Sequence, residues 1–207
     1  MSFNFNNLQW IEKDENPFEM RCLNIKDYCW NTQSVTKDPY VSMRFNELRT
    51  SSGEQFHGQS PNGYIKTICQ LQYGSKRRIY DEMSQGPVLK AKVMEDKWDI
   101  FLYDKWLYFA HSWNGQLYYR ANVEISSGMT IVHEIEVEAG LATEGMDLAL
   151  CDVDFLIKSH LHNLPVPNRI PGNIPETDKQ LITMYSYNSF GRWASYATYE
   201  DTLQLQI

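Results

Sequence analysis

The chain has 207 residues, 22% of them charged, and a net charge of −7. That length buries a core without disulfide or metal staples, and that charge disfavours nucleic acid and anionic membranes as partners. The four cysteines (Cys22, Cys29, Cys69, Cys151) include no Cys-x-x-Cys pair, no apolar run is long enough to span a membrane, and the opening MSFNFNNLQW has no signal-peptide pattern, so the chain reads as one cytoplasmic domain, 1–207, with reduced thiols.

In chain order, residues 18–25 predict a strand. Asp38 is a good N-cap and Pro39 suits a first helical position. Val41, Phe45 and Leu48 then recur at helical spacing, and Gly53 marks the far end. SPNGY is a turn, and residues 64–73 predict a second strand. The run Lys76-Arg77-Arg78 is the one compact basic cluster and reads as a solvated turn.

Residues 98–125 concentrate the aromatics. Asn114-Gly115 is a strong two-residue hairpin signal, because both positions tolerate positive φ. That turn predicts Trp113 opposite Gln116, His111 opposite Tyr118, and Phe109 opposite Arg120. One face would then carry Trp106, Tyr108, Ala110, Leu117, Tyr119, Ala121, Val123 and Ile125, nearly all apolar. The other would carry Leu107, Phe109, His111 and Trp113 beside Tyr118, Arg120, Asn122 and Glu124. A second hairpin at Asp104-Lys105 adds Trp98, Ile100 and Leu102 to that second face, so the middle strand is buried on both sides. His111, Trp113, Tyr118 and Arg120 form a border where apolar surface meets polar groups.

Residues 130–139 predict a strand with Ile131, His133, Ile135 and Val137 inward and Glu134, Glu136 and Glu138 on a wet face. Residues 145–163 predict a helix striped by Met146, Leu150, Val153, Ile157 and Leu161, with His160 at the stripe's edge and His162 in solvent. Four prolines in residues 164–175 predict an extended connection over the surface. The rest starts helical and breaks near residues 188–191. The fold class is α+β: a mostly antiparallel meander sheet with two or three helices packed on it. A curled, barrel-like β domain with helical additions is the alternative.

Few motifs carry chemistry. His160 and His162 would diverge by about 200° on a helix, so they do not converge on one metal ion. His133-Glu134 lacks the second histidine of a zinc-protease helix, and no phosphate-binding glycine loop or G-x-S-x-G turn occurs. A Cys–His nucleophilic pair has no local signature here. No cofactor and no metal are expected. In SFGRWASY, Gly191 permits positive φ or close backbone approach. Arg192 is flanked by Phe190, Trp193 and Tyr196, an arrangement that clamps an anion or stacks and pairs with Glu200 or Asp201. Arg120 is similarly set beside Tyr118. If both arginines face one groove, it suits an anionic, partly planar ligand such as a nucleotide or ADP-ribose.

The stretch LYFAHSWNGQLYYRANVE resembles uncharacterised bacterial proteins found beside or within ADP-ribosylglycohydrolase-type proteins, through Leu107, Phe109, Ser112, Trp113, Gly115 and Tyr119. His111 stands where that pattern has Arg, and Asn114 where it has Thr. The resemblance implies a bacterial origin and proximity to ADP-ribose biology, and carries over no catalytic residue.

Two functions compete, besides that of a subunit of a larger assembly that packs on copies of itself through its sheet edge or proline-rich segment. The first is a binding module that docks a protein partner, of the immunity or defence type. Acidity, the 14% aromatic content and the lack of catalytic motifs favour it. The second is a nucleotide- or ADP-ribose-binding protein or hydrolase, with His111 and the Glu134, Glu136 and Glu138 row as acid and base. In either case the candidate site residues are His111, Trp113, Tyr118, Arg120, Arg192 and Trp193.

Overall fold

Alternating and continuous apolar runs, separated by Gly, Asn and Asp turns, fold into two sheets and five α-helices among the described residues. The computed structural model describes residues 3–74, 85–126 and 128–205; the Lys76-Arg77-Arg78 run lies outside them. Strands β1 (Trp10–Ile11) and β2 (Cys22–Asn24) precede helices α1 (Lys26–Asn31) and α2 (Pro39–Thr50). Six strands follow: β3 (Ile65–Gly74), β4 (Gly86–Leu89), β5 (Trp98–Tyr103), β6 (Trp106–His111), β7 (Leu117–Ser126) and β8 (Met129–Val137). Helices α3 (Ala139–Ala142) and α4 (Met146–Phe155) come next, and α4 runs on as a π-helical segment over Leu156–Leu161. Strand β9 (Pro167–Arg169), helix α5 (Lys179–Phe190) and strand β10 (Tyr196–Thr198) complete the chain.

The larger sheet has the order β3-β8-β7-β6-β5-β4 and is antiparallel throughout, a meander from β4 to β8 with β3 returning to its far edge. The smaller sheet, β1-β2-β10-β9, is mixed, with β9 and β10 parallel. This is the α+β class that the sequence predicts. Ile100, Leu107, Phe109, Ala121, Ile135 and Val137 on one face of the large sheet share a core with Val153 and Ile157, with Ile182 and Phe190, and with Leu23 and Ala197 of the small sheet. The other face carries Phe101, Tyr103, Tyr108, Ala110 and Leu117 under Leu48 of α2 and Phe56. That cover is pinned by polar contacts: Tyr103 OH donates to the Ser52 carbonyl at 2.9 Å, and Gly58 N–H donates to Tyr108 OH at 3.0 Å. β6 is therefore buried on both sides.

The register differs from the sequence expectation. Asp104 and Lys105 form the expected turn, both at positive φ (47° and 65°). The Asn114-Gly115 connection is longer than two residues, since His111 N–H bonds the Gln116 carbonyl. A register shift after Phe109 then absorbs one residue, Tyr118, so Phe109 faces Tyr119 and Tyr108 faces Arg120. A one-residue slip moves a whole strand's side chains to the other face. Hence Tyr119, Ala121 and Val123 enter the helix-covered core, whereas Arg120 and Asn122 lie on the α2 side. A second shift between β7 and β8 pairs Val132 with Val123, turning His133 out toward Glu124 at 3.2 Å.

The glutamate row is not a wet face. Glu136 is buried against Arg120, Glu134 meets Lys66, and Glu138 caps α3 through Leu141 N–H. The proline-rich segment is extended, yet it does not run over the surface. Val166, Asn168 and Ile170 are buried, and Pro167 opens the edge strand β9, where a missing N–H is tolerated. His162 is half-buried, stacked on Tyr73 at 5.8 Å, because the π-helical turn rotates the last residues relative to an ideal α-helix.

Candidate functional site

The start of β5 is clamped from two sides. Asp96 accepts the Lys92 and Val93 N–H groups at 2.9 and 3.4 Å, closing a tight loop before the strand. Arg192 docks on that carboxylate as an ion pair, with Nε 2.6 Å from Oδ1 and Nη2 3.0 Å from Oδ2. Gly191, at φ +65°, lets the chain lie against the Glu95 carbonyl, which accepts Arg192 N–H at 3.2 Å. From the other side, Ser112 Oγ donates to the Asp96 carbonyl and Trp113 Nε1 to the Met94 carbonyl, each at 2.7 Å.

Lys97 sits at the centre of this clamp and is 2% exposed. Its Nζ lies 3.7 Å from the Trp113 ring centroid and 5.0 Å from that of Tyr187. It donates to Ser34 Oγ and to the Met94 carbonyl, both at 3.2 Å. Burial pulls its pKa down to about 8, against the opposing pull of Glu95 and Asp96. Ser34 is itself held: its N–H donates to Glu95 Oε1 at 2.7 Å, and its Oγ meets Tyr187 OH at 2.6 Å. Tyr187 OH also donates to the Thr32 carbonyl at 3.2 Å.

Of the predicted site residues, His111, Trp113, Tyr118 and Arg192 gather around this junction. The His111 ring lies edge-on to Trp98 and Tyr118, at 5.7 and 5.8 Å. Burial, aided by the Lys97 charge, pushes its pKa down to about 4, so it is a neutral packing group at neutral pH. Tyr118 OH accepts from Asn114 at 2.9 Å. Arg192 pairs with Asp96, and not with Glu200 or Asp201: Glu200 binds Lys13, and Asp201 caps the final turn.

Trp193 and Arg120 lie apart from the junction. Trp193 packs on His160 at 5.2 Å, and burial pushes the His160 pKa down to about 3. Arg120 sits on the α2 side of the sheet, 2.7 Å from Glu136, with Nη1 on the Gln59 carbonyl and its guanidinium 4.0 Å from the Trp106 ring centroid. The two arginines share no groove, and each is already matched by a carboxylate. An anionic ligand at either would have to displace that partner.

Ser34, Lys97 and Tyr187 were not singled out by sequence reasoning. Lys97 follows Asp96 and precedes a strand that is apolar but for Asp99, a place where a charge needs an explanation. Ser34 has no local signature, because its partners are distant in sequence. The thiols are poor nucleophiles: burial pushes Cys22 and Cys29 up to about 12 and Cys69 to about 11. Among the described residues no group of three or more His, Cys, Asp or Glu side chains could hold a metal ion, and no helix is long and apolar enough to cross a membrane.

The surface also offers concave and apolar features away from the clamp. A cleft of about 430 Å³ between β3 and the π-helical segment holds Tyr73, Asp154 and Lys158, whose polar groups bond one another at 2.7–2.9 Å. An open concavity of about 1020 Å³ lies against α1, lined by Phe3, Leu8, Ile11, Tyr28, Asn31 and Thr32 among others. Trp30 of α1, Val35, and Tyr40 and Met43 of α2 are 62%, 90%, 72% and 46% exposed. Compared with known proteins, the chain matches no family model, no curated protein and no solved structure.

Proposed function

We propose that the protein is a binding module that docks a protein partner through the apolar strip of residues 30–43. One observation carries this reading. Four large apolar side chains stand exposed between residues 30 and 43: Trp30 in α1, Val35 in the link, and Tyr40 and Met43 in α2. We take these four as one patch, because a large apolar patch, unlike single scattered apolar residues, marks an interaction site. Trp and Tyr are the side chains that most often anchor interfaces, because each buries a large area and keeps a polar tip. Tyr40 and Met43 sit three residues apart on α2, so they stand on one helical face. Trp30 is oriented by Arg192, whose guanidinium carbon lies 5.6 Å from its ring centroid. That guanidinium is itself locked on Asp96, so the strip is braced at one end before any partner arrives.

A photo-crosslinking residue at Val35, in the chain expressed in its cells of origin, tests this. The expected result is a discrete protein adduct that disappears when Trp30→Asp and Tyr40→Asp are introduced together. Loss of two aromatic anchors weakens binding by roughly a hundredfold or more. The melting temperature should stay within about 2 °C, as both side chains are exposed. An adduct of twice the chain's mass would identify a second copy as the partner. No adduct, or adducts that survive the double substitution, would refute docking through this strip.

A further inference from the structure

Ser34, Lys97 and Tyr187 come from a loop, a strand boundary and a helix, yet their polar atoms converge within 3.2 Å of Ser34 Oγ. We propose that Ser34 is a nucleophile, with Lys97 as its base and Tyr187 as a positioning residue, in an acyl-transfer site for carboxylic esters bearing a flexible apolar chain. This goes beyond docking and does not depend on it.

The amine is the unusual feature. A buried lysine normally meets a carboxylate, since an unpaired charge is costly to desolvate. Lys97 makes no ion pair among the described residues. Its sequence neighbours are committed elsewhere, Glu95 to Ser34 N–H and Asp96 to Arg192. Its walls are the rings of Trp113 and Tyr187. The ring faces attract the ammonium, whereas burial works against it and draws the Lys97 pKa down, which is how a lysine becomes a general base. With Lys97 charged, protons run in one direction: Lys97 donates to Ser34, Ser34 to Tyr187, and Tyr187 to the Thr32 carbonyl. With Lys97 neutral, Ser34 can turn its proton toward Nζ, and Tyr187 can donate to Ser34 Oγ.

The reaction balances without an oxidant or a cofactor. Ser34 Oγ adds to the ester carbonyl carbon while its proton passes to Lys97 Nζ. The bond from that carbon to the alkoxy oxygen breaks, and the leaving group takes the proton from Lys97 and departs as an alcohol. Water then adds to the acyl-serine and gives a proton to Lys97. The carbon–Oγ bond breaks, the acid leaves, and Ser34 recovers its proton. The substrate class follows from the surroundings. Trp30 and Val35 flank Ser34 in sequence and are exposed. Thr32 both accepts from Tyr187 and lines the concavity, where Leu8, Ile11 and Tyr28 stand among polar residues such as Asn7 and Asp27. Thr32 and Ser34 are two residues apart, at most about 7 Å of chain. Ser34 is not itself a lining residue, so the acyl chain would lie in the concavity with its carbonyl reaching across that span to Ser34.

The groups facing Lys97 are Glu95 and Asp96 on its own loop, His111 on β6, Tyr187 on α5 and Arg192 on Asp96. Around pH 8 His111 stays neutral, with its pKa near 4, and burial raises Tyr187 above its ordinary value, so Lys97 is the group that titrates. The test treats the full chain with an alkyl fluorophosphonate and, separately, with p-nitrophenyl octanoate, and locates adducts by intact mass and peptide mapping. The expected result is one adduct on Ser34, forming faster as pH rises with a midpoint near 8, the Lys97 value. Ser34→Ala abolishes it. Lys97→Met, which keeps the aliphatic stem, slows it by about a hundredfold. Tyr187→Phe slows it less, because it removes only a hydrogen-bond partner. No adduct on Ser34, or a Lys97→Met rate equal to wild type, would overturn the proposal and leave Lys97 as a staple for the Met94 carbonyl. Should Lys97→Met fail to fold, the wild-type pH profile decides: a rate that is flat from pH 6 to 9 overturns it equally.

Discussion

Asp152 carries an electrostatic cost that a single substitution can expose. Its Oδ2 accepts the Tyr119 hydroxyl at 2.8 Å, while its Oδ1 is sealed from solvent without a partner. Burial raises its pKa to about 7, and the nearby Glu144 charge adds to the effect. The folded-state value is above the ordinary one, so the folded chain keeps a proton that the unfolded chain has lost. The associated stability is present below about pH 4 and is lost as pH rises through 7. An asparagine side chain in its place would keep an acceptor for Tyr119 and never ionise. Relative to wild type, Asp152→Asn should therefore gain roughly 2 to 4 kcal/mol between pH 4.5 and pH 8. Urea denaturation at the two pH values measures it. Any fixed cost of the new NH₂ group cancels in the comparison, and a difference that does not change with pH would show that Asp152 is already ionised without penalty.

At the level of elements, the junction before β5 depends on Gly191. Its φ of +65° is reached freely by glycine, and a Cβ there would overlap the Glu95 carbonyl oxygen and crowd Lys97. The clamped loop cannot retreat, because Arg192, Ser112 and Trp113 hold it. Gly191→Ala should cost about 3 kcal/mol or more, a fall of roughly 6 to 12 °C in melting temperature. Gly115 supplies the control: its φ is +68°, with nothing within 4 Å of an added Cβ. Gly115→Ala should cost only the backbone strain, about 1 kcal/mol. Equal losses at the two positions would mean that close approach at Gly191 is unimportant.

The same elements mark what sequence could reveal. Gly191 was legible, because glycine beside an aromatic-flanked arginine points to close backbone approach. The Asp104-Lys105 turn and the Asp38 cap were legible because their chemistry is local. The face of Arg120 was not. It rests on one residue absorbed at Tyr118, and the aromatic pattern is compatible with either register until the packing of both faces is known. Of the small sheet only β2 was foreshadowed, within the strand expected over residues 18–25; the rest escaped because these strands are two or three residues long and drawn from opposite ends of the chain. The Ser34–Lys97–Tyr187 convergence escaped for the same reason: no spacing rule connects a loop serine to a helix tyrosine far downstream.

Across the whole molecule, stability is unevenly distributed. β5 and β6 have a packed core on each side, and Ile100, Phe101, Leu107 and Phe109 are wholly buried. Their amides should open to solvent only when both cores dissolve. α2 is different. Of its residues only Phe45 and Leu48 are buried, and its firm attachments, Leu48 under the sheet and the Lys90 ammonium on the Leu48 carbonyl, are at its C-terminal end. Its first turn holds no buried residue, and Tyr40 and Met43 stand in solvent. Segments with few buried apolar contacts open locally, well below the free energy of global unfolding. Native-state hydrogen exchange should therefore show the early α2 amides exchanging with an opening free energy several kcal/mol below that of β6, and with little dependence on denaturant. Exchange of α2 and β6 together at the global limit would show that α2 is integral to the fold. If α2 does open first, a partner that covers Tyr40 and Met43 should slow exchange there before it affects β6. Such protection would tie the docking strip to a helix that opens locally, because binding then shifts a local equilibrium that already exists.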